Sequence, residues 1–207
     1  MKKKKGVTIL EVLITITLTA VVFSLIYPIF LIANKNFVKI NIQTELQEDS
    51  SKIETNISKL LTQSNGIESI VILDNNYKVE LNKDQNLDNY LNSNNEIILQ
   101  NIEEISFSIK DEQNDIYNYV IKKSYLKDRG ENKIYKLVIG KKKSDENYAS
   151  MKYTTLSENL KDIKIKLNNN TLEKTTNANI NIDLYGKKGQ VEVNHNINSN
   201  ITFRNKI

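Results

Sequence analysis

Val7-Thr8-Ile9-Leu10-Glu11-Val12-Leu13-Ile14-Thr15-Ile16-Thr17-Leu18-Thr19-Ala20, continuing without a charge to Ala33, decides the architecture of this 207-residue chain. Lys2, Lys3, Lys4 and Lys5 stand before it and Gly6 closes them off. The uncharged stretch from Val12 to Ala33 is 22 residues long. As helix it rises about 33 Å, enough for a hydrocarbon core of about 30 Å. A cleaved secretory signal has a shorter apolar core, about 7–15 residues, and ends at a small-residue site. No such site follows Leu25-Ile26-Tyr27. Glu11 interrupts the run. A carboxylate in lipid is costly and marks function by default, so Glu11 needs a partner. A plain signal anchor explains the lysines and the span, but neither Glu11 nor Gly6.

Downstream, Pro28 sits inside the apolar run. A proline there removes the bond to the Ser24 carbonyl and kinks the helix, which membrane helices tolerate when neighbours cover the freed group. After Ala33 the pattern turns amphipathic. Phe30, Phe37, Leu46, Ile53, Ile57, Leu60 and Leu61 form an apolar stripe of helical period. Lys35, Lys39, Glu45, Glu48, Asp49, Lys52 and Glu54 make the wet face. The helix is expected to run to about Gln63, with Gly66 as its stop signal. Its first half lies in lipid and its second half packs its stripe on something.

Past Gly66 the period changes to two. Ser69–Leu73 and Tyr77–Leu81 flank Asp74-Asn75-Asn76 as a hairpin. Strands are expected at Glu96–Leu99, Ile102–Lys110 and Ile116–Leu126. Arg129-Gly130-Glu131-Asn132 reads as a turn into a strand at Lys133–Gly140. Thr154–Lys161, with Leu156 and Leu160 four apart, reads as a short helix or turn. Ile163–Leu167, Ala178–Leu184, a turn at Gly186–Gly189, Gln190–Val193 and Ile197–Phe203 follow. Leu99–Phe107 and Leu156–Lys164 resemble each other weakly, each as a turn feeding an alternating strand. The fold class is therefore α+β: a long N-terminal helix, its first half transmembrane, packed against an antiparallel sheet. Four segments result: a leader at 1–6, a membrane half-helix at 7–33, an amphipathic half-helix at 34–64 and a β-rich head at 65–207.

The chain carries 29 Lys+Arg against 25 Asp+Glu, but four of those lysines precede Gly6, leaving 25 against 25 behind it. The basic balance thus gives no case for nucleic-acid binding by the head. Lysines flanking a span keep their end cytoplasmic and place everything after Ala33 outside. With no cysteine, an exported head has no disulfide and must be stabilised by its core. His195, the single histidine, reads as an exposed loop residue between Asn194 and Asn196. Neither a zinc site nor another cofactor is expected. Asp84-Gln85-Asn86-Leu87-Asp88 begins like a calcium loop, but Asn89 stands where glycine is needed and Asn95 at the twelfth position. Tyr117 and Tyr119 share a strand face and, with Tyr125, read as core or cross-strand packing. Lys141-Lys142-Lys143 reads as a solvated loop. No nucleophile elbow, phosphate loop or paired carboxylates suggest an enzyme.

The lysine-rich leader ending in Gly6, followed by Val7-Thr8-Ile9-Leu10-Glu11-Val12-Leu13 and an apolar helix with its proline at Pro28, resembles the class III signal of type IV pilins and pseudopilins. One departure is Val7, where that family more often has phenylalanine. More loosely, Leu156…Leu160-Lys161-Asp162-Ile163 and the closing Phe203-Arg204-Asn205 are similar to J-type minor pseudopilins of type II secretion and W-type minor pilins. The resemblance implies that a membrane prepilin peptidase and methyltransferase cuts between Gly6 and Val7 and methylates the Val7 amine. It implies other pilin or pseudopilin subunits as partners through the N-terminal helix, and nucleic acid only in a competence pilus. It also implies a single-pass membrane protein with cytoplasmic N-terminus and extracytoplasmic head that ends in a cell-surface filament.

Physically, the cut removes the tethering lysines and exposes a cationic amine four residues from Glu11, on one helix face. An ammonium paired with a carboxylate in lipid is far cheaper than either alone. The amine of one subunit reaching the Glu11 of a neighbour would favour assembly and set its register. The competing expectation is a membrane-anchored binding module or enzyme whose helix is a simple tether.

Overall fold

A computed structural model describes residues 8–94 and 96–203. One uninterrupted helix, α1, runs Ile9–Gln63 with Pro28 inside it. Nine antiparallel strands follow: β1 Ile67–Asp74, β2 Tyr77–Asn82, β3 Ile97–Leu99, β4 Ile102–Lys110, β5 Ile116–Arg129, β6 Asn132–Lys143, β7 Lys152–Leu167, β8 Asn177–Lys188 and β9 Val191–Thr202. This is the α+β architecture read from the sequence. The chain parts into two compact units between Asn41 and Ile42, with the helix shared between them.

In the first unit, every residue from Thr8 to Phe37 is exposed. The helix is long and apolar enough to cross a membrane. Four of its hydroxyls do not spoil that surface, because each bonds back to the helix backbone. Thr15, Thr17 and Thr19 donate to the carbonyls of Glu11, Leu13 and Thr15 at 2.7–2.8 Å, and Ser24 donates to the Val21 carbonyl. Such back-bonding lets threonine sit in an apolar helix without an unsatisfied group.

In the second unit, α1 buries Ile42, Leu46, Ser50, Ile53, Ile57 and Leu61, spaced by three and four as one helix face requires. Phe30 and Phe37, expected on this stripe, are exposed, and Leu60 is half-buried. Ile42 takes their place. The helix stops where Ser64 turns back on it, its N–H and hydroxyl both donating to the Leu61 carbonyl. Gly66 then adopts φ 110°, open to glycine and strained for other residues.

The strand order is β2-β1-β4-β5-β6-β7-β8-β9, with β3 on β7 beside it. Asn75 and Asn76 join β1 to β2 with φ of 47° and 67°, the two left-handed positions of a type I′ hairpin. The core lies on the sheet face carrying Ile70, Leu81, Ile105, Phe107, Ile121 and Leu137.

β7 is the pivot. Its residues Lys152–Leu160 pair with β6, and Leu160–Leu167 pair with β8, while Ile165–Leu167 also pair with β3. Three register shifts, at Thr155/Ser157, Ser157/Leu160 and Leu160/Asp162, mark the handover. The short helix or turn expected at Thr154–Lys161 is therefore a strand. Leu156 and Leu160 are both buried, and a spacing of four falls on one face of a strand as well as of a helix, so it does not distinguish the two. The weak internal likeness fails for the same reason: Asn101 turns before β4, whereas Leu156–Lys164 is strand throughout.

Three further expectations are corrected. Gly186 lies inside β8, opposite Val193, and the turn is at Gly189 with φ 61°. His195 lies mid-strand in β9, half-buried and paired with Leu184. Lys141–Lys143 end β6, where Lys142 is buried and donates to the Glu146 carbonyl.

Gly186 also admits the helix. A Cβ there would lie 2.3 Å from Ile42 Cγ2 and 3.6 Å from Leu46 Cδ1. Gly186→Ala forces α1 off the sheet, an overpacking that typically costs about 1–3 kcal/mol. In thermal unfolding of the detergent-solubilised chain, that lowers the head's midpoint by roughly 2–4 °C per kcal/mol. An unchanged midpoint would show that the helix does not need this close approach.

Candidate functional site

Two stretches of α1 carry the chemistry. At its start the sequence Thr8-Ile9-Leu10-Glu11 closes a reciprocal cap. Thr8 N–H donates to Glu11 Oε2 at 2.8 Å, its hydroxyl donates to the same oxygen at 3.0 Å, and Glu11 N–H donates back to the Thr8 hydroxyl at 3.3 Å. This is a capping box, with threonine at the N-cap and glutamate at N3. The negative charge also sits at the positive end of the helix dipole. Glu11 thus has an intramolecular partner that the sequence reading missed, although Thr-x-x-Glu before an apolar run is its signature. Lys2, Lys3, Lys4, Lys5, Gly6 and Val7, with the expected cut between the last two, lie outside the described residues. Pro28 stands in mid-helix, one turn beyond Ser24.

The second site fastens α1 to the head. Glu45 and Asp49 are one turn apart on the helix and face the β7 bulge. Asn159 Nδ2 donates to Glu45 Oε1 at 2.9 Å and to Asp49 Oδ2 at 3.0 Å. Ser157 Oγ donates to Asp49 Oδ2 at 2.6 Å. Asn159 Oδ1 accepts from Arg129 Nη1 at 2.7 Å, so the buried amide bridges a guanidinium and two carboxylates. Lys52 Nζ donates to the Thr155 carbonyl, and the Ser58 and Ser199 hydroxyls meet at 2.8 Å. Charge-assisted bonds of this kind fix a register that an apolar stripe alone leaves free to slide. Glu45 and Asp49, read from the sequence as wet-face residues, are thus drawn into one network by the bulge.

A buried charge sits on β5, facing β4. Lys123 is 5% exposed. Its ammonium is 3.1 Å from Glu103 Oε1 and 4.5 Å above the Tyr135 ring. Burial raises the neighbouring Asp162 carboxyl above its usual range, against the opposing pull of the Ile163 N–H and of Lys123 and Lys164. Among the described residues no group of three His, Cys, Asp or Glu side chains is arranged to hold a metal ion.

Tyr117 and Tyr119 share a face as expected, and Tyr119 stacks on Phe107 at 5.5 Å with 7° between the planes. Tyr125 is exposed and meets Tyr135 edge-on.

Comparison with known proteins bears on the N-terminal site alone. Residues 1–27 match the model of the prokaryotic N-terminal methylation motif. No curated protein and no solved structure matches the chain. The motif implies processing by a peptidase, anchoring in a membrane and assembly with other pilin subunits. Residues 1–27 therefore carry a class III prepilin signal, and the long apolar helix they lead into fits a type IV pilin.

Proposed function

We propose that this chain is a minor pilin or pseudopilin, a structural subunit of a type IV pilus-like filament and not a catalyst. A prepilin peptidase cuts it between Gly6 and Val7 and methylates the new Val7 amine. The helix then leaves the bilayer for the filament core, and the head is carried outside the cell. The observation that carries the reading is a lone carboxylate, Glu11, at the start of an apolar helix whose every residue from Thr8 to Phe37 is exposed. An apolar surface of that extent requires either lipid or other helices to cover it. Glu11, five residues past the glycine in the sequence, is the group that an amine created by the cut would pair with.

The test is a mass measurement on membrane-bound protein. The wild-type chain is expected to have lost residues 1–6, whereas Gly6→Leu, which crowds the cleaved bond, keeps them. If both chains retain the leader, the reading is wrong.

A further inference from the structure

A cleft of about 450 Å³ opens in the second unit, where the last turn of α1 meets one end of the sheet. That volume lies within the usual range for a small-ligand site, about 300–1,000 Å³. Tyr117 and Tyr119 of β5 form one wall, two residues apart on the same strand face. The Tyr119 ring is held by its stack on Phe107, so it offers a rigid flat surface at little entropic cost. Ile109 lines the cleft as a buried apolar residue. Thr62 and Gln63 of the helix, with Glu112 and Lys141, supply hydroxyl, amide, carboxylate and ammonium groups. Asp111 is committed to its own turn, accepting the N–H groups of Gln113 and Asp115.

Lys141 is the unusual member. Its ammonium lies 4.1 Å from the Tyr117 ring centroid and 5.6 Å from that of Tyr119. Among the described residues no ion pair is found for it, although it is exposed. A cation over a solvent-facing ring is worth only about 0.5–1 kcal/mol, so the side chain swings aside readily. The Tyr117 face beneath Lys141 is therefore available, and so is the Tyr119 face turned away from Phe107.

Formal charge cancels around the lining, with Lys110 and Lys141 against Asp111 and Glu112. That balance disfavours a phosphate-bearing or otherwise polyanionic ligand. Ring faces that take C–H surfaces, framed by mixed donors and acceptors, suit a molecule with flat apolar faces and hydroxyls around its rim. We propose that this cleft is a binding site for a neutral saccharide, with one sugar ring stacked on Tyr117 and Tyr119 and Lys141 donating to its hydroxyls. The proposal stands apart from the filament reading, because it concerns the second unit alone.

The test is titration of the full chain in detergent with an uncharged N-acetylglucosamine oligomer, read by saturation-transfer NMR and tyrosine fluorescence. Binding in the millimolar range is expected, with Tyr117→Ala weakening it about tenfold or more and Tyr117→Phe leaving it nearly unchanged. Tyr148→Ala, an exposed tyrosine outside the cleft lining, is expected to bind as wild type does. The far-ultraviolet spectrum of each variant checks that it is folded. Absence of binding to the neutral oligomer overturns the proposal, as does a Tyr117→Ala chain that binds undiminished. Salt-sensitive binding confined to a sulfated oligosaccharide also overturns it, since that would make Lys141 a simple anion contact.

Discussion

Glu11→Leu is expected to leave the chain in the membrane and to cut its recovery from sheared filaments by about tenfold or more. The acid contributes little to insertion, because leucine is better suited to lipid. What the substitution removes is the counter-charge for a neighbouring subunit's amine, which would then be stranded among apolar helices. The capping box makes a second variant informative. Glutamine at N3 preserves a capping box, so Glu11→Gln keeps the helix start while deleting the charge. If Glu11 acts by charge pairing, Glu11→Gln fails to assemble as Glu11→Leu does. Assembly of Glu11→Gln at the wild-type level would reduce Glu11 to a helix cap. A tether, by contrast, predicts that Glu11→Leu inserts better and that whatever the head does continues undisturbed.

The largest expected loss of stability lies in the head. Lys123→Ala strips Glu103 of its partner 3.1 Å away and also removes the cation that offsets the burial of Asp162. Breaking a buried pair from one side typically costs about 3–5 kcal/mol, whereas replacing both partners with apolar residues of similar size is often neutral. Lys123→Ala should therefore lower the thermal midpoint of the head by roughly 10 °C. Lys123→Met combined with Glu103→Leu should recover most of that loss. Calorimetry of the three chains decides the point. A single variant that unfolds at the wild-type midpoint would mean that water reaches Lys123 and that the pair is only a surface contact.

Elements ruled by local chemistry were legible in the sequence. Helix α1 ends at Gln63 because Ser64 and Gly66 stop it, and both signals lie within three residues of the end. The first hairpin follows from Asn75-Asn76, whose tolerance of left-handed backbone fixes the turn. Strand β4 keeps the bounds Ile102–Lys110 because Ile105, Phe107 and Ile109 alternate without a break. What was not legible depends on distant partners. The Leu156–Leu160 spacing suits a helix and a strand equally, and only the pairing of β7 with β6 and β8 decides between them. Asn194 and Asn196 disguise β9 around His195, since asparagine is poor in isolated strands, yet β8 pairs along its whole length. Ile42 was missed on the helix stripe because its burial depends on Gly186, remote in sequence, having no side chain. Glu45 and Asp49 likewise join Asn159 only once the β7 bulge is formed. The Thr8–Glu11 box was legible in principle. Its signature is local, a threonine three residues before a glutamate at the head of an apolar run.

Assembly through α1 depends on a processed N-terminus. Intact-mass analysis of the chain recovered from the filament fraction tests it most directly. A species that starts at Val7 and carries one added methyl group is the predicted result. Filament material that begins at Met1, with Lys2 to Gly6 still attached, would contradict it.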